Sequence, residues 1–230
     1  MPFLHDDSLT WPTLKQFNQD SGRVYQVEAT GAIYPSITRV LAHKEKPFLK
    51  AWMEKVGPEE AEHRRNKAGV RGTTIHAISE DYLNNRPVTK PWPHIQEMWI
   101  RMRTWIDAHV TKVYAQERDT YSGILRVAGR MDLLAEIDGT IAVGDFKNAL
   151  RPKKLEWVHD YFLQGTFYAI CVQELTGRKV RKIVFPVVSP GELQVFETTP
   201  GKHIEELQDR VSDFYAAQSQ TISLDIPAAV

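Results

Sequence analysis

Apolar residues change period midway along the chain. From 94 to 110, "HIQEMWIRMRTWIDAHV" places Met98, Ile100, Trp105, Ile106 and Val110 at helical spacing. The period then falls to two. Residues 112–121, 124–138 and 140–148 read as three strands, and Asp138-Gly139 is a two-residue hairpin turn between the last two. Upstream, residues 1–20 read as irregular, 23–36 as a hairpin around Thr30-Gly31, and 36–43 as a short helix opened by Pro35-Ser36. Residues 47–57 read as a helix stopped by Gly57, and 58–85 as helix in two pieces broken at Gly69 and Gly72. Downstream, 154–177 is a long amphipathic helix ended by Gly177. Strands at 179–189 and 191–199 flank Pro190-Gly191, and 202–220 is a closing helix. Strands, a helix and a return strand predict an α/β fold: a mixed central sheet flanked by helices, with an N-terminal helical portion. The expected division is a hairpin and helical portion over 1–70, a core over 71–220 and a tail over 221–230.

Charges interrupt this pattern where it is most apolar. In "GRMDLLAEIDGTIAVGDFKN" (129–148), Asp132, Asp145 and Lys147 stand at the ends of strands that otherwise read as buried. Buried charges are costly unless they pair or bind a metal. Counted outward from the Asp138-Gly139 turn, Asp132 and Asp145 fall roughly opposite each other, and like charges so placed repel. A divalent cation between them removes the repulsion, and Mg²⁺ commonly binds through one or two carboxylates. Lys147, two residues after Asp145, projects from the same face of its strand. A solvated hairpin with a cross-strand ion pair fits the same three residues. His76 and Glu80 in "GTTIHAISE" lie at i, i+4 on one helical face and could both bind a divalent metal, or simply form a polar face. Gln164 and Tyr168 in "LQGTFYA" share the same spacing on an otherwise apolar helix, where a polar edge is the plain alternative.

Composition narrows the function classes. With 29 Lys plus Arg against 29 Asp plus Glu, the formal net charge is zero, which argues against a protein that coats duplexes but leaves local basic stripes open. One cysteine, Cys171, excludes an internal disulfide and a four-cysteine cluster, and points to a reducing, cytoplasmic setting. The first residues do not read as a secretory signal, and no apolar run approaches the ~20 residues of a membrane span.

Taken together, Gly72…His76…Glu80, "GRMD" (129–132), "DFK" (145–147) and "QGTFY" (164–168) resemble the PD-(D/E)XK nuclease superfamily in its RecB-like exonuclease branch. The resemblance covers about residues 70–188. "YPSITRVL" (34–41) and the tryptophan-containing helix after it are similar to the N-terminal part of phage exonucleases and of the mitochondrial genome maintenance exonuclease. The resemblance implies a restriction-endonuclease-like fold and a metal-dependent DNA exonuclease. It implies Mg²⁺ or Mn²⁺ held by Asp132, Asp145, His76 and the backbone carbonyl of Phe146, with Glu80 as a further candidate ligand. Lys147 would be the catalytic lysine, and Gln164 and Tyr168 would contact DNA near the scissile phosphate. Asn148 stands where this branch often carries Ser or Thr, and the cysteines of its iron–sulfur members are absent.

Candidate DNA contacts follow from charge and aromatics. The basic clusters are Lys44, Lys46 and Lys50; Arg64, Arg65, Lys67 and Arg71; Arg151, Lys153 and Lys154; and Arg178, Lys179, Arg181 and Lys182. Arg71 and Arg151 flank the acids in sequence, so they are expected to track a phosphate backbone. Ser36 and Thr38 offer hydroxyls at a helix start, as a phosphate seat or as caps. Trp52, Trp92, Trp99 and Trp105 are either core or stacking platforms. The expected partner is single-stranded DNA or DNA with free ends, in a bacterial or phage-infected cell, and no membrane. A structure-specific endonuclease and a non-cutting DNA-binding module remain alternatives.

Overall fold

In the computed structural model, residues 2–44 and 47–224 are described, excepting the side chains of 47–51 and 220–224. Among the described residues the main sheet has seven strands. They are β1 (Leu4–His5), β5 (Val110–Ser122), β6 (Val127–Ile137), β7 (Thr140–Gly144), β9 (Lys182–Ser189) and β10 (Glu192–Thr198) in that spatial order, with β8 (Lys147–Asn148) also paired to β9. The sheet is mixed. β6 runs antiparallel to both β5 and β7, β7 and β8 lie parallel to β9, and β10 closes the edge antiparallel to β9. A second, three-stranded antiparallel sheet holds β2 (Leu14–Gln19), β3 (Gly22–Val27) and β4 (Ile33–Pro35).

The parallel step from β7 and β8 to β9 needs a crossover. Helix α5 (His159–Thr176) supplies it, ending at Gly177 in the left-handed conformation with φ 71°. A short 3-10 turn over Leu155–Trp157 precedes it, so the helix starts later than the apolar pattern predicts. Gly165 lets α5 settle against β9, because a Cβ there would lie 2.3 Å from Ile183 Cγ2.

Two apolar layers enclose the sheet. On one side α5 packs with α1 (Ile37–Ala42) and α6 (Ile204–Leu224), through Val40, Leu163, Phe167, Leu207 and Phe214. On the other, α3 (Pro58–Leu83) and α4 (Pro93–His109) bring Ile75, Ile78, Met98, Met102 and Ile106 onto Leu133, Ala135 and Val184. Strand β6 is thus buried on both faces, which is why it reads as a near-continuous apolar run. Arg210 of α6, buried, donates to the Leu41 carbonyl at 3.0 Å and pairs with Asp160 at 3.0 Å, tying three helices together.

Several expectations change. Residues 58–85 form one helix rather than two: Gly69 and Gly72 lie inside α3, where packing against α4 and β8 outweighs the modest cost of helical glycine. The expected division at residue 70 therefore falls within α3. Residues 1–20 are not wholly irregular, since β1 joins the main sheet beside β5, and β2 extends the 23–36 hairpin. The closing helix continues through Leu224, into the expected tail. Residues 225–230, Lys46 and the side chain of Lys50 lie outside the described residues.

Candidate metal centre

Three carboxylates stand level across three neighbouring strands. Gln116 pairs with Leu133 and Arg118 with Met131, which sets Glu117 of β5 opposite Asp132 of β6. Leu133 pairs with Gly144, so one further step sets Asp132 opposite Asp145, just past the end of β7. Directly opposed residues on antiparallel strands share a face, so all three acids converge. Glu117 takes a backbone φ of 45°, in the left-handed region that a non-glycine residue seldom occupies.

Helix α3 delivers His76 to the same place. Its Nδ1 lies 3.0 Å from Asp132 Oδ2, and ligand atoms of His76, Glu117 and Asp132 all fall within 4.8 Å of one another. On the far side of Asp145, Lys147 Nζ donates to Asp145 Oδ2 at 2.6 Å and lies 5.4 Å from the centre of the Tyr161 ring.

The electrostatics follow from this crowding. Burial and the neighbouring charge of Asp132 push the Asp145 carboxyl up to about 8. Burial also works against charge on His76, but contact with Asp132 outweighs it and holds the imidazole up at about 9. Burial disfavours the Asp132 carboxylate too, and the hydrogen-bonding and charge of His76 override it, lowering Asp132 to about 2. Glu117 is raised to about 7, by burial first and Asp132 second. Burial opposes charge on Lys147 as well, yet Asp145 and Asp132 raise its pKa overall, so it is cationic.

Asp145 is fully buried, and its Oδ1 has no hydrogen-bond partner among the described residues, while Asp132 Oδ2 faces the His76 imidazole at 3.0 Å. Buried carboxylate oxygens left without donors are costly. One such oxygen, two further acids and an imidazole form the mixed oxygen and nitrogen donor set that a hard divalent cation takes. The residues present fit a metal ion.

A cavity of about 220 Å³ opens onto Asp132 and Glu117. Ser36, Thr38, Gln164 and Tyr168 line it, together with Arg23 and Arg130. Gln164 Nε2 donates to Tyr168 Oη at 3.3 Å. Gly129 makes the Tyr168 position possible, since a Cβ there would meet Tyr168 Oη and Ile37 Cγ2, each at 3.1 Å. Ser36 caps α1, its Oγ accepting from the Arg39 N–H at 3.2 Å, and lies 3.1 Å from the Thr38 hydroxyl. Arg71 and Arg151 line a different hollow, a groove beside Asn148, where Arg71 Nε donates to Asn148 Oδ1 at 2.9 Å. Glu80 is not within ligand distance of the cluster; it pairs with Arg86 at 3.1 Å, while its charge still reaches Glu117. Phe146 buries its ring among the α3–α4 layer, between the two charged residues it separates in sequence.

Some of the other charged and aromatic candidates are structural. Lys182 is shared by Asp138 and Glu197, and Arg178 lies over Tyr114 while pairing with Asp6. Trp99 and Trp105 are core, whereas Trp92 is exposed and Trp52 lines the Arg71 groove. Sequence reasoning does not single out Glu117. Its only signal is an acid inside the strand-like "KVYAQERDTY", and its level relative to Asp132 depends on the longer turn between β5 and β6, which cannot be counted as the Asp138-Gly139 turn can.

No curated protein matches the chain. Among solved structures, that titled "Crystal structure of SSO0001" shares 13% identity at a TM-score of 0.48, over 85% of this chain and 86% of that one. Rai1 of Scheffersomyces stipitis shares 16% identity at a TM-score of 0.29, over 94% of this chain and 56% of that one. Likenesses this distant carry no argument. A family model, by contrast, matches residues 48–224, a span that includes every member of the acid, imidazole and lysine cluster. The mixed sheet with its flanking helices is accordingly a restriction-endonuclease-like fold, and the chain belongs to the PD-(D/E)XK nuclease superfamily.

Proposed function

We propose that this chain is a divalent-metal-dependent DNA exonuclease of the RecB-like branch, hydrolysing phosphodiester bonds in single-stranded DNA or at DNA ends. The observation that carries the reading is the level row of Glu117, Asp132 and Asp145, with a buried Asp145 oxygen lacking a hydrogen bond, His76 set against Asp132 and a cationic lysine alongside. Asp132, Asp145 and His76 would hold Mg²⁺ or Mn²⁺ with the Phe146 carbonyl, and Glu117 joins them as a ligand in place of Glu80. The bound ion supplies Lewis acidity toward the phosphodiester and lowers the pKa of water.

The protein's own groups do the rest. Lys147, held by Asp145 at 2.6 Å, keeps an ammonium where negative charge builds on the scissile phosphate. Gln164 and Tyr168, with Ser36 and Thr38, offer donors from the adjoining cavity to the strand beside that phosphate. Arg71 and Arg151 offer cations to the backbone on the other side. Water attacks phosphorus in line, the bridging oxygen leaves, and no covalent enzyme intermediate is needed.

The test uses end-labelled linear single-stranded and double-stranded DNA and circular single-stranded DNA, each with Mg²⁺ or Mn²⁺. Linear single strands are expected to be shortened from an end while circles stay intact. Asp145→Ala and Lys147→Ala are expected to lose at least 10²-fold in rate, on the scale of removing one preorganised charge-stabilising group. Cutting of circles would replace the exonuclease reading with an endonuclease, and equal cutting by both variants and wild type would refute the site.

A further inference from the structure

We propose that the groove between α2 (Pro47–Val56), the first half of α3 and the chain following β8 is a track for an unpaired DNA strand leading to the metal centre; the proposal rests on the nuclease reading and names where its substrate lies. The groove encloses about 560 Å³ and is walled by Trp52, Arg64, Arg65, Arg71, Arg151 and Trp157. Lys153 adds a further cation, and among the described residues no acidic one lines it. In a chain of zero formal net charge, this gathers positive charge in one place. Arg64 is engaged by Glu60 at 2.6 Å and Arg71 by Asn148 at 2.9 Å. Arg65 and Arg151 have no carboxylate partner among the described residues, so both can meet phosphates without breaking an internal contact.

The groove adjoins the site through the backbone of β8 and through α3: the Arg71–Asn148 bond forms part of its wall, Asn148 directly follows Lys147 with its side chain on the other face of the strand, and Arg71 lies five residues before His76 on the same helix. The cavity that holds Ser36, Gln164 and Tyr168 reaches different members of the site, Asp132 and Glu117. A strand crossing the acids therefore has a hollow at each end of its path. The wall after β8 is set in place before any ligand arrives. Ala149 N–H donates to the Val188 carbonyl at 2.9 Å, Lys153 N–H to Gln194 Oε1 at 2.6 Å, and Gln194 Nε2 back to the Lys153 carbonyl at 3.1 Å.

The aromatics decide the form of the DNA. Trp157 is 45% exposed at the groove, steadied by Lys154 Nζ at 5.5 Å from its ring centre, and Trp52 is partly exposed in the same hollow. Cations beside open aromatic faces suit a strand whose bases are free to stack on side chains, whereas a duplex keeps its bases stacked on each other. Phosphates would lie along Arg65 and Arg151, with a base on Trp157.

The test measures binding of a fluorescein-labelled oligothymidylate by anisotropy, in EDTA so that no hydrolysis occurs, across a salt series. An abasic oligonucleotide of equal length and a blunt duplex serve as further probes. All the changes are at solvent-exposed side chains. Arg65→Ala/Arg151→Ala is expected to make the slope of log affinity against log salt shallower by about 1.4, two single-strand phosphate contacts at about 0.7 each. Trp157→Ala is expected to weaken oligothymidylate binding about 10-fold, within the range for loss of one stacked base, and to leave abasic binding unchanged. Wild-type cutting of DNA with an unchanged salt slope in the double variant would overturn the groove and leave the nuclease reading standing. Groove-dependent binding without any wild-type cutting would do the reverse. An equal loss of duplex and single-strand affinity in Trp157→Ala would overturn the unpaired-strand assignment.

Discussion

Glu117 offers the sharpest test of how the acids interact, because replacing it should strengthen the fold while weakening the function. Its carboxyl faces Asp132 across β5 and β6, and it is raised to about 7 from an ordinary value of 4.5 by burial and by that neighbour. A carboxyl with a raised folded-state pKa holds its proton more tightly when folded. The stability linked to it is therefore complete below about 4.5, lost as pH rises to about 7, and constant above. At roughly 1.4 kcal/mol per pH unit this span corresponds to about 3 kcal/mol, and solvent screening of a part-exposed side chain cuts it to about 1–2 kcal/mol. Glu117→Gln keeps the shape and removes the charge. In EDTA at pH 8 the variant should melt about 2–8 °C above wild type, given about 2–4 °C per kcal/mol for a chain of this size. Near pH 4.5 the two curves should coincide. Adding Mn²⁺ at pH 8 should raise the wild-type melting temperature more than the variant's, because ligands that bind only the folded state stabilise it by mass action. Differential scanning calorimetry at the two pH values, with and without metal, supplies every number. A variant no more stable than wild type at pH 8, or a gap of equal size at both pH values, would refute the opposed-carboxylate account.

Two further outcomes test the frame around the site. Gly165→Ala puts a methyl 2.3 Å from Ile183 Cγ2 at the seam of α5 and β9, so urea titration should show a loss of about 1–3 kcal/mol, the usual cost of overpacking. Arg210→Met removes a buried cation from Asp160 and the donor from the Leu41 carbonyl, and the same titration should show about 1–3 kcal/mol lost, while Arg210→Lys recovers part of it.

Much of the site is legible in the chain because it is built from short-range periodicities. The Asp138-Gly139 turn has a fixed length, so counting outward sets Asp132 level with Asp145, and the β6–β7 register has that alignment. Lys147 follows from strand alternation, and the Gln164–Tyr168 contact from one helical turn. What cannot be read locally is long-range. Glu117 reaches the acids only through the β5–β6 register, and Arg23 joins Gln164 in lining the cavity only once the small sheet has docked. His76 and Glu80 are equivalent by spacing; tertiary placement separates them, one beside Asp132 and the other drawn away by Arg86. The reading of 58–85 as two helices fails for a related reason. Glycine's helical penalty is local and small, and the packing that overrides it comes from elements distant in sequence.

That unbroken α3 has a mechanical meaning. Arg64, Arg65 and Arg71 ride on the same rod as His76, with about 18 Å of axial rise between the first and the last of them. A stiff helix transmits a tilt from one end to the other with little loss, whereas a hinge at Gly69 or Gly72 would absorb it. A shift imposed on the arginines would therefore carry over to the imidazole beside Asp132, because the two share one rigid support.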